Sequence, residues 1–119
     1  SVKYAKERSA FGKAIGSYQS VANKLSLMKM NIELGKGILY RCATLKDRKK
    51  RAPLEASICK LFISESLKQS CLDSVQIHGG YGYMREYEIE RDLRDSIAST
   101  IYSGTSELQH NIISRFMGL

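Results

Sequence analysis

Val21-Ala22-Asn23-Lys24-Leu25-Ser26-Leu27-Met28-Lys29-Met30-Asn31-Ile32-Glu33-Leu34-Gly35-Lys36-Gly37-Ile38-Leu39-Tyr40-Arg41-Cys42 is the stretch that decides the fold. Within it the apolar or small residues Val21, Leu25, Met28, Ile32, Gly35, Leu39 and Cys42 recur at alternate steps of four and three. Seven in succession predict one buried helical stripe, and the 3.5-residue period suits antiparallel bundle packing. Met28 and Met30 read as core filling. Gly35 and Gly37 cost helical propensity in mid-helix, so another helix is expected to approach closely there.

Toward the N-terminus, residues 9–16 break the pattern with Gly12 and Gly16 around Phe11, and Ser17 is a candidate cap for the long helix. Residues 1–8 read as the end of a helix already under way, which gives the chain the look of a piece of a longer protein. Toward the C-terminus, Pro53 fits the first turn of a third helix running from about Leu54 to His78. Ile58, Phe62 and Ile63 are apolar on one side of it. Ala56, Ser66, Ser70 and Ser74 give it a small-residue surface. Ile89, Leu93 and Ile97 mark a short fourth helix, on which Glu90 and Arg94 form a favourable pair. Residues 101–104 interrupt it, and Leu108, Ile112, Ile113 and Phe116 mark a last amphipathic helix. No convincing strand, repeat or low-complexity segment is found. The expectation is one all-α domain over residues 1–119, an up-and-down helical bundle with two long central helices.

The third helix closes on Gln76, Ile77, His78, Gly79, Gly80, Tyr81, Gly82 and Tyr83. Two readings of these glycines stand. In one, Gly79 or Gly80 is a helix C-cap and the tyrosines shield the end. In the other, bare backbone admits a phosphate or sugar, with the Gln76 amide one turn back as donor and acceptor.

Composition narrows the function. The chain has 119 residues, enough for one core but small for an enzyme that must also enclose a cofactor, so any site is expected to be shared. No apolar run is long enough to span a membrane, and residues 1–8 are not a signal peptide. Cys42, Cys59 and Cys71 lack metal-type spacing and sit in helical patterns, which favours a reducing compartment. The net charge is +7, much of it in Lys46, Arg48, Lys49, Lys50 and Arg51. With no interleaved aromatics for base stacking, this run reads as a solvated loop or the rim of an anionic-cofactor site instead of a nucleic-acid arm. His78 and His110 have no partner placed for a charge relay and no metal spacing.

Three separated pieces combine: Arg8, Phe11 and Gly12 with Gln19; residues 76–83; and Arg94 and Asp95 followed by Tyr102, Ser103, Gly104, Thr105, Ser106 and Glu107. In this order and spacing the chain resembles the C-terminal helical domain of the acyl-CoA dehydrogenase family over essentially all 119 residues. The resemblance turns the glycines toward a cofactor seat that also caps a helix. It implies a flavoprotein built as a dimer or a dimer of dimers. It also implies that Arg8, Phe11 and Gln19, together with Gln76, Ile77, His78, Gly79 and Gly80, line the FAD of a neighbouring subunit. Thr105, Ser106 and Glu107 would touch the FAD of their own subunit at a helix start. Arg94 and Asp95 read as packing or interface residues.

The implied reaction oxidises an acyl-CoA thioester to the trans-2-enoyl thioester and passes the electrons to an electron-transfer flavoprotein. In many family members a glutamate base directly precedes the Gly-Thr pair, but here that position is Ser103, and a serine hydroxyl cannot do this unaided. The resemblance to isovaleryl-type and long-chain-type members implies a base upstream of Ser1. No catalytic residue is therefore assigned within the chain, and Gly104 is expected beside the substrate. The alternatives are an acyl-CoA oxidase-like or inactive partner subunit, and a non-enzymatic basic bundle. The implied location is the cytoplasm of a bacterium, or the mitochondrial matrix of a eukaryote.

Overall fold

A computed structural model describes residues 1–119, an elongated helical body of 54 × 27 × 23 Å. Helix α1 spans Val2–Glu7, α2 Gln19–Asp47, α3 Pro53–His78, α5 Ile89–Ser99 and α6 Ser106–Phe116, with the single turn α4 at Gly80–Tyr83. The two central helices hold 29 and 26 residues, and at 1.5 Å per residue each is about 40 Å long. Helix α3 is the axis of the molecule: α2 packs along one side of it, α5 and α6 along the other. This is the all-α bundle with two long central helices that the periodicity predicts.

Small side chains let these helices approach. Helix α3 buries Ser57, Cys59, Ser64 and Cys71, and α5 buries Ser96 and Ser99. Each buried serine hydroxyl needs an acceptor, and Ser64, Ser96 and Ser99 donate to carbonyls three residues back, at 3.2, 2.7 and 2.6 Å. Gly35 sits against Phe62 and Ile63, where an added Cβ would lie 3.4 Å from the Ile63 side chain. Gly37 faces open space, so the expected close approach is made by Gly35 alone. Lys24 pairs with Asp73, and Arg41 with Glu55 at 3.2 Å; both pairs tie α2 to α3.

The long stripe is covered only in part. Gly35 and Cys42 are buried, whereas Ile32 and Leu39 remain 53% and 48% exposed. With Met28, Ile63 and Leu67 they line an apolar groove of about 380 Å³. One α3 cannot cover a stripe 22 residues long and also serve α5 and α6, so much of the seam predicted from periodicity faces outward here.

Two local expectations are corrected at the N-terminal end. Residues 9–14 hold a short antiparallel pair, β1 Ser9–Ala10 with β2 Lys13–Ala14, where no strand is expected from sequence. Its turn is Phe11-Gly12, both at positive φ (50° and 83°), the conformation a two-residue hairpin requires but one a phenylalanine rarely adopts. Ser17 does not cap α2: its hydroxyl donates to the Ala14 carbonyl at 2.7 Å, closing a 3₁₀ turn, and α2 starts at Gln19 with Tyr18 as its N-cap. Pro53 does open α3 as predicted. No helix is long and apolar enough to cross a membrane.

Candidate functional site

Two bends lie at different heights on α3. At its C-terminal end the chain folds α1 back onto the Gly79 turn. Tyr4 stacks on the His78 ring with centroids 4.1 Å apart and donates to the His78 carbonyl at 3.3 Å. His78 is buried, and its Nδ1 donates to the Ser74 carbonyl at 2.7 Å, which engages the ring internally. Tyr87 meets both rings edge-on, and Tyr81 leans on Tyr87 at 5.1 Å. The Arg8 guanidinium lies over the Tyr81 ring, 5.4 Å from its centroid, with no carboxylate partner. Arg8, Ile77, His78, Gly79 and Gly80 thus line one cavity of about 500 Å³, with Tyr4 and Tyr81 among its walls.

The glycines of this bend stand clear. A Cβ at Gly79 or Gly80 would meet nothing within 4 Å, so it is open backbone that faces the cavity. Gly79 has φ 59° and ψ −136°, a conformation outside αL and open essentially to glycine alone. It therefore caps α3, through its amide to the Gln76 carbonyl at 3.3 Å, without forming the αL or Schellman geometry. Phe11, at the hairpin tip, is 97% exposed; Gln19 and Gln76 are exposed at the start of α2 and the end of α3. These three do not line the cavity.

The second bend joins α5 to α6. Ser103 (φ 54°) and Gly104 (φ 90°) both take left-handed backbone conformations. Gln109, 5% exposed, reaches back to donate its amide to the Ser103 and Gly104 carbonyls at 3.2 and 3.3 Å. Gly104 is required by contact as well as by φ: a Cβ there would fall 2.7 Å from the Gln109 amide nitrogen. Thr105 is the N-cap of α6, its hydroxyl accepting from the Leu108 amide at 3.4 Å. Ser106 donates to Glu65 at 2.5 Å, and Lys68 pairs with the same carboxylate at 2.5 Å. These two hydrogen bonds, the lysine's first, hold the Glu65 carboxyl below its ordinary range. Glu107 is likewise lowered, first by its own backbone amide and then by the Thr105 hydroxyl. Gln109 was not singled out from sequence. A polar residue four positions into a predicted amphipathic helix gives no sign that it will fold back under the preceding loop.

Along α3, Glu65 and Gly79 are 14 residues apart, about 21 Å. The structure therefore gathers Arg8 with residues 77–80 at the C-terminal end of α3 and Ser103 to Glu107 near its middle, as two separate groups. Each group suits part of a dinucleotide. The first offers an unpaired guanidinium beside bare backbone, donors of the type a pyrophosphate takes; the second offers the first-turn amides of α6.

Other chemistry is absent or already engaged. Glu90 is bound by Arg94 Nε at 2.8 Å, which lowers the carboxyl and raises the guanidinium. The pair lines a wide groove of about 1000 Å³ with Gly82, Met84 and Arg85. All three cysteines are free thiols, and burial pushes Cys59 and Cys71 up, away from the thiolate. His110 is exposed on α6. No group of three or more His, Cys, Asp or Glu side chains is placed to hold a metal ion.

Comparison with known proteins fits this geometry. Residues 1–118 match the family model described as the acyl-CoA dehydrogenase C-terminal domain, and the chain belongs to the acyl-CoA dehydrogenase family. Members of that family are FAD-dependent oxidoreductases. The caffeyl-CoA reductase-Etf complex subunit CarC of Acetobacterium woodii is 47% identical over 95% of this chain and 30% of its own length. Among solved structures, the prolyl acyl carrier protein oxidase AnaB superposes with a TM-score of 0.97 at 52% identity, over 99% of this chain and 31% of that one. An FAD complex of PigA superposes at 0.96 with 42% identity, over the same shares. The chain thus spans about 30% of the length of the curated relatives it matches.

Proposed function

We propose that residues 1–119 are the C-terminal helical domain of a longer flavoenzyme that oxidises an acyl thioester to its α,β-unsaturated counterpart. The observation that carries this reading is the pair of half-sites about 21 Å apart on α3, which fits a domain that touches two flavins in an oligomer. FAD, when bound, supplies the hydride acceptor. In this chain Arg8 and the open backbone of Gly79 and Gly80 would neutralise and bind the phosphates of a neighbouring subunit's cofactor. Ile77 and the backbone of His78 would complete that wall, whereas Phe11, Gln19 and Gln76 lie outside the cavity and would meet the cofactor only where it extends beyond it. Thr105, Ser106 and Glu107 would meet the subunit's own FAD at the start of α6. The Gly104 backbone would lie beside the thioester, on the side away from Gln109 and Leu108.

Ser103 does not serve as base. It is exposed, and a serine hydroxyl cannot take an α proton unaided, so a carboxylate outside this chain would do so. The outward-facing part of the 21–42 stripe supports assembly as a homo-oligomer, in which that seam would be covered. A reducing compartment such as a bacterial cytoplasm suits three free thiols. As electron acceptor, an electron-transfer flavoprotein is supported by the likeness to the Etf-complex subunit.

A second reading draws on the 52% identity to the carrier-protein oxidase: the thioester is carried on a phosphopantetheinyl carrier protein instead of CoA. One experiment addresses both. The full-length protein, purified with its FAD, is mixed anaerobically with a panel of acyl-CoAs and with a prolyl-carrier protein, and the flavin band is followed. Bleaching by either class supports thioester oxidation and identifies the carrier. Full-length protein that contains no FAD and takes up none would overturn the reading. Reoxidation by electron-transfer flavoprotein or by oxygen then separates dehydrogenase from oxidase.

A further inference from the structure

The α2–α3 bend carries Lys46, Arg48, Lys49, Lys50 and Arg51, five cations in six residues, all exposed and none within ion-pair distance of a carboxylate. Stability does not account for all of them. Lys46 and Arg48 close α2, where the negative end of the helix dipole favours cations. Lys50 and Arg51 stand just ahead of Pro53, at the positive end of α3, where cations are unfavourable. The bend is nonetheless fixed: Lys49 takes φ 57°, and the Lys50 amide donates to the Leu45 carbonyl at 2.9 Å. The nearest acid on α3, Glu55, is already held by Arg41.

The Ser103–Gly104 bend lies along α3 from this positive surface: Ser106 meets Glu65, 12 residues or about 18 Å of helix beyond Pro53. A cavity of about 370 Å³ is lined by Cys42, Ala56, Cys59 and Lys60 near the basic bend and by Tyr102 on the other side. From Pro53 to Cys59 is six residues, about 9 Å of helix. The Nζ of Lys60 is shielded from water in this region and has no hydrogen-bond partner, a donor waiting for an acceptor. A flexible arm with amide carbonyls, tethered at the bend, could thus run to Gly104.

We infer that the 46–51 bend is the docking surface for an acidic carrier protein, which presents its phosphopantetheine-bound acyl group to the site beside Gly104. The inference rests on the carrier-protein reading above. Five cations spread across a whole bend match an acidic protein face better than the few phosphates of one nucleotide, and such charges act mainly through association rate and its salt dependence.

The test uses the full-length FAD protein with the Lys50→Glu/Arg51→Glu double variant. Acids at that position favour the α3 dipole, so the fold should hold, and flavin content and melting temperature check that it does. Three thioesters of one acyl group are compared: on the carrier protein, on CoA and on pantetheine. The expected result is a fall in kcat/KM on the order of tenfold or more for the carrier-bound substrate, with a flattened salt dependence, and changes under about twofold for the other two. An equal loss with the CoA thioester would assign the cluster to the nucleotide phosphates and overturn the docking surface. No loss with the carrier substrate would overturn it as well. A wild-type protein that is bleached by acyl-CoA but not by the carrier-bound group would overturn both this surface and the carrier-protein reading.

Discussion

The two bends on α3 use glycine for opposite reasons. At Gly79 and Gly80 an added Cβ would meet nothing, and the neighbouring His78 ring is sealed beneath Tyr4 and Tyr87, so the backbone itself is what the bend presents. At Gly104 the added carbon would strike the Gln109 amide at 2.7 Å, because that amide is drawn tightly under the loop to satisfy two carbonyls. The difference teaches that a glycine after a helix carries no single meaning. One bend is built to be approached from outside, the other to be held from inside.

Substitutions should separate the two. The largest stability effect is expected for Gly104→Ala, where left-handed backbone and overpacking combine to cost about 3 kcal/mol, read from denaturant midpoints of the full-length protein. A loss below about 1 kcal/mol would mean that the Gln109 clamp yields freely and the contrast is weaker than drawn. At the other bend, Arg8→Ala should leave the melting temperature nearly unchanged, since only its contact over Tyr81 is lost, worth about 0.5–1 kcal/mol. It should weaken FAD retention about tenfold, the scale of one charge-assisted hydrogen bond, measured as flavin-to-protein ratio after dilution. Unchanged FAD retention would remove Arg8 from the proposed cofactor wall.

The smallest effect is acid sensitivity at the α6 end. Lys68 and Ser106 hold the Glu65 carboxyl low in the folded chain. A depressed folded pKa gives stability that is fully present above the unfolded value, about 4.3, and is lost as the pH falls through the folded value. Glu65 is part-exposed and water-screened, so the contribution is under about 1 kcal/mol. The melting-temperature gap between wild type and Glu65→Gln should therefore be steady from pH 7 to about 5 and close below about 4. A gap that widens on acidification would reverse the sign and refute the assignment.

Much of the fold was legible because periodicity is a local property. The alternation of four and three from Val21 to Cys42, Pro53 at the start of α3 and the Glu90–Arg94 pair all state their outcome within a turn or two of chain. The Phe11-Gly12 hairpin was not legible, since a phenylalanine at positive φ contradicts local preference and is held by pairing across the turn. Nor was the role of Tyr4 or Gln109. Tyr4 acts on a residue 74 positions away, and the spacing of Gln109 marks nothing that a solvated amide would not also show.

By itself, the order of residues determined that this chain is a set of amphipathic helices broken at glycine-bearing bends, because side-chain periodicity and backbone restriction act between near neighbours. Only the tertiary structure decided which bends meet. Arg8 shares a cavity with Gly79 because α1 folds back on α3, Gly104 is held by a buried amide, and the start of α6 meets the middle of α3 at Glu65. Such pairings depend on how helices cross and which small residues let them close, and neither is written in any one stretch of chain.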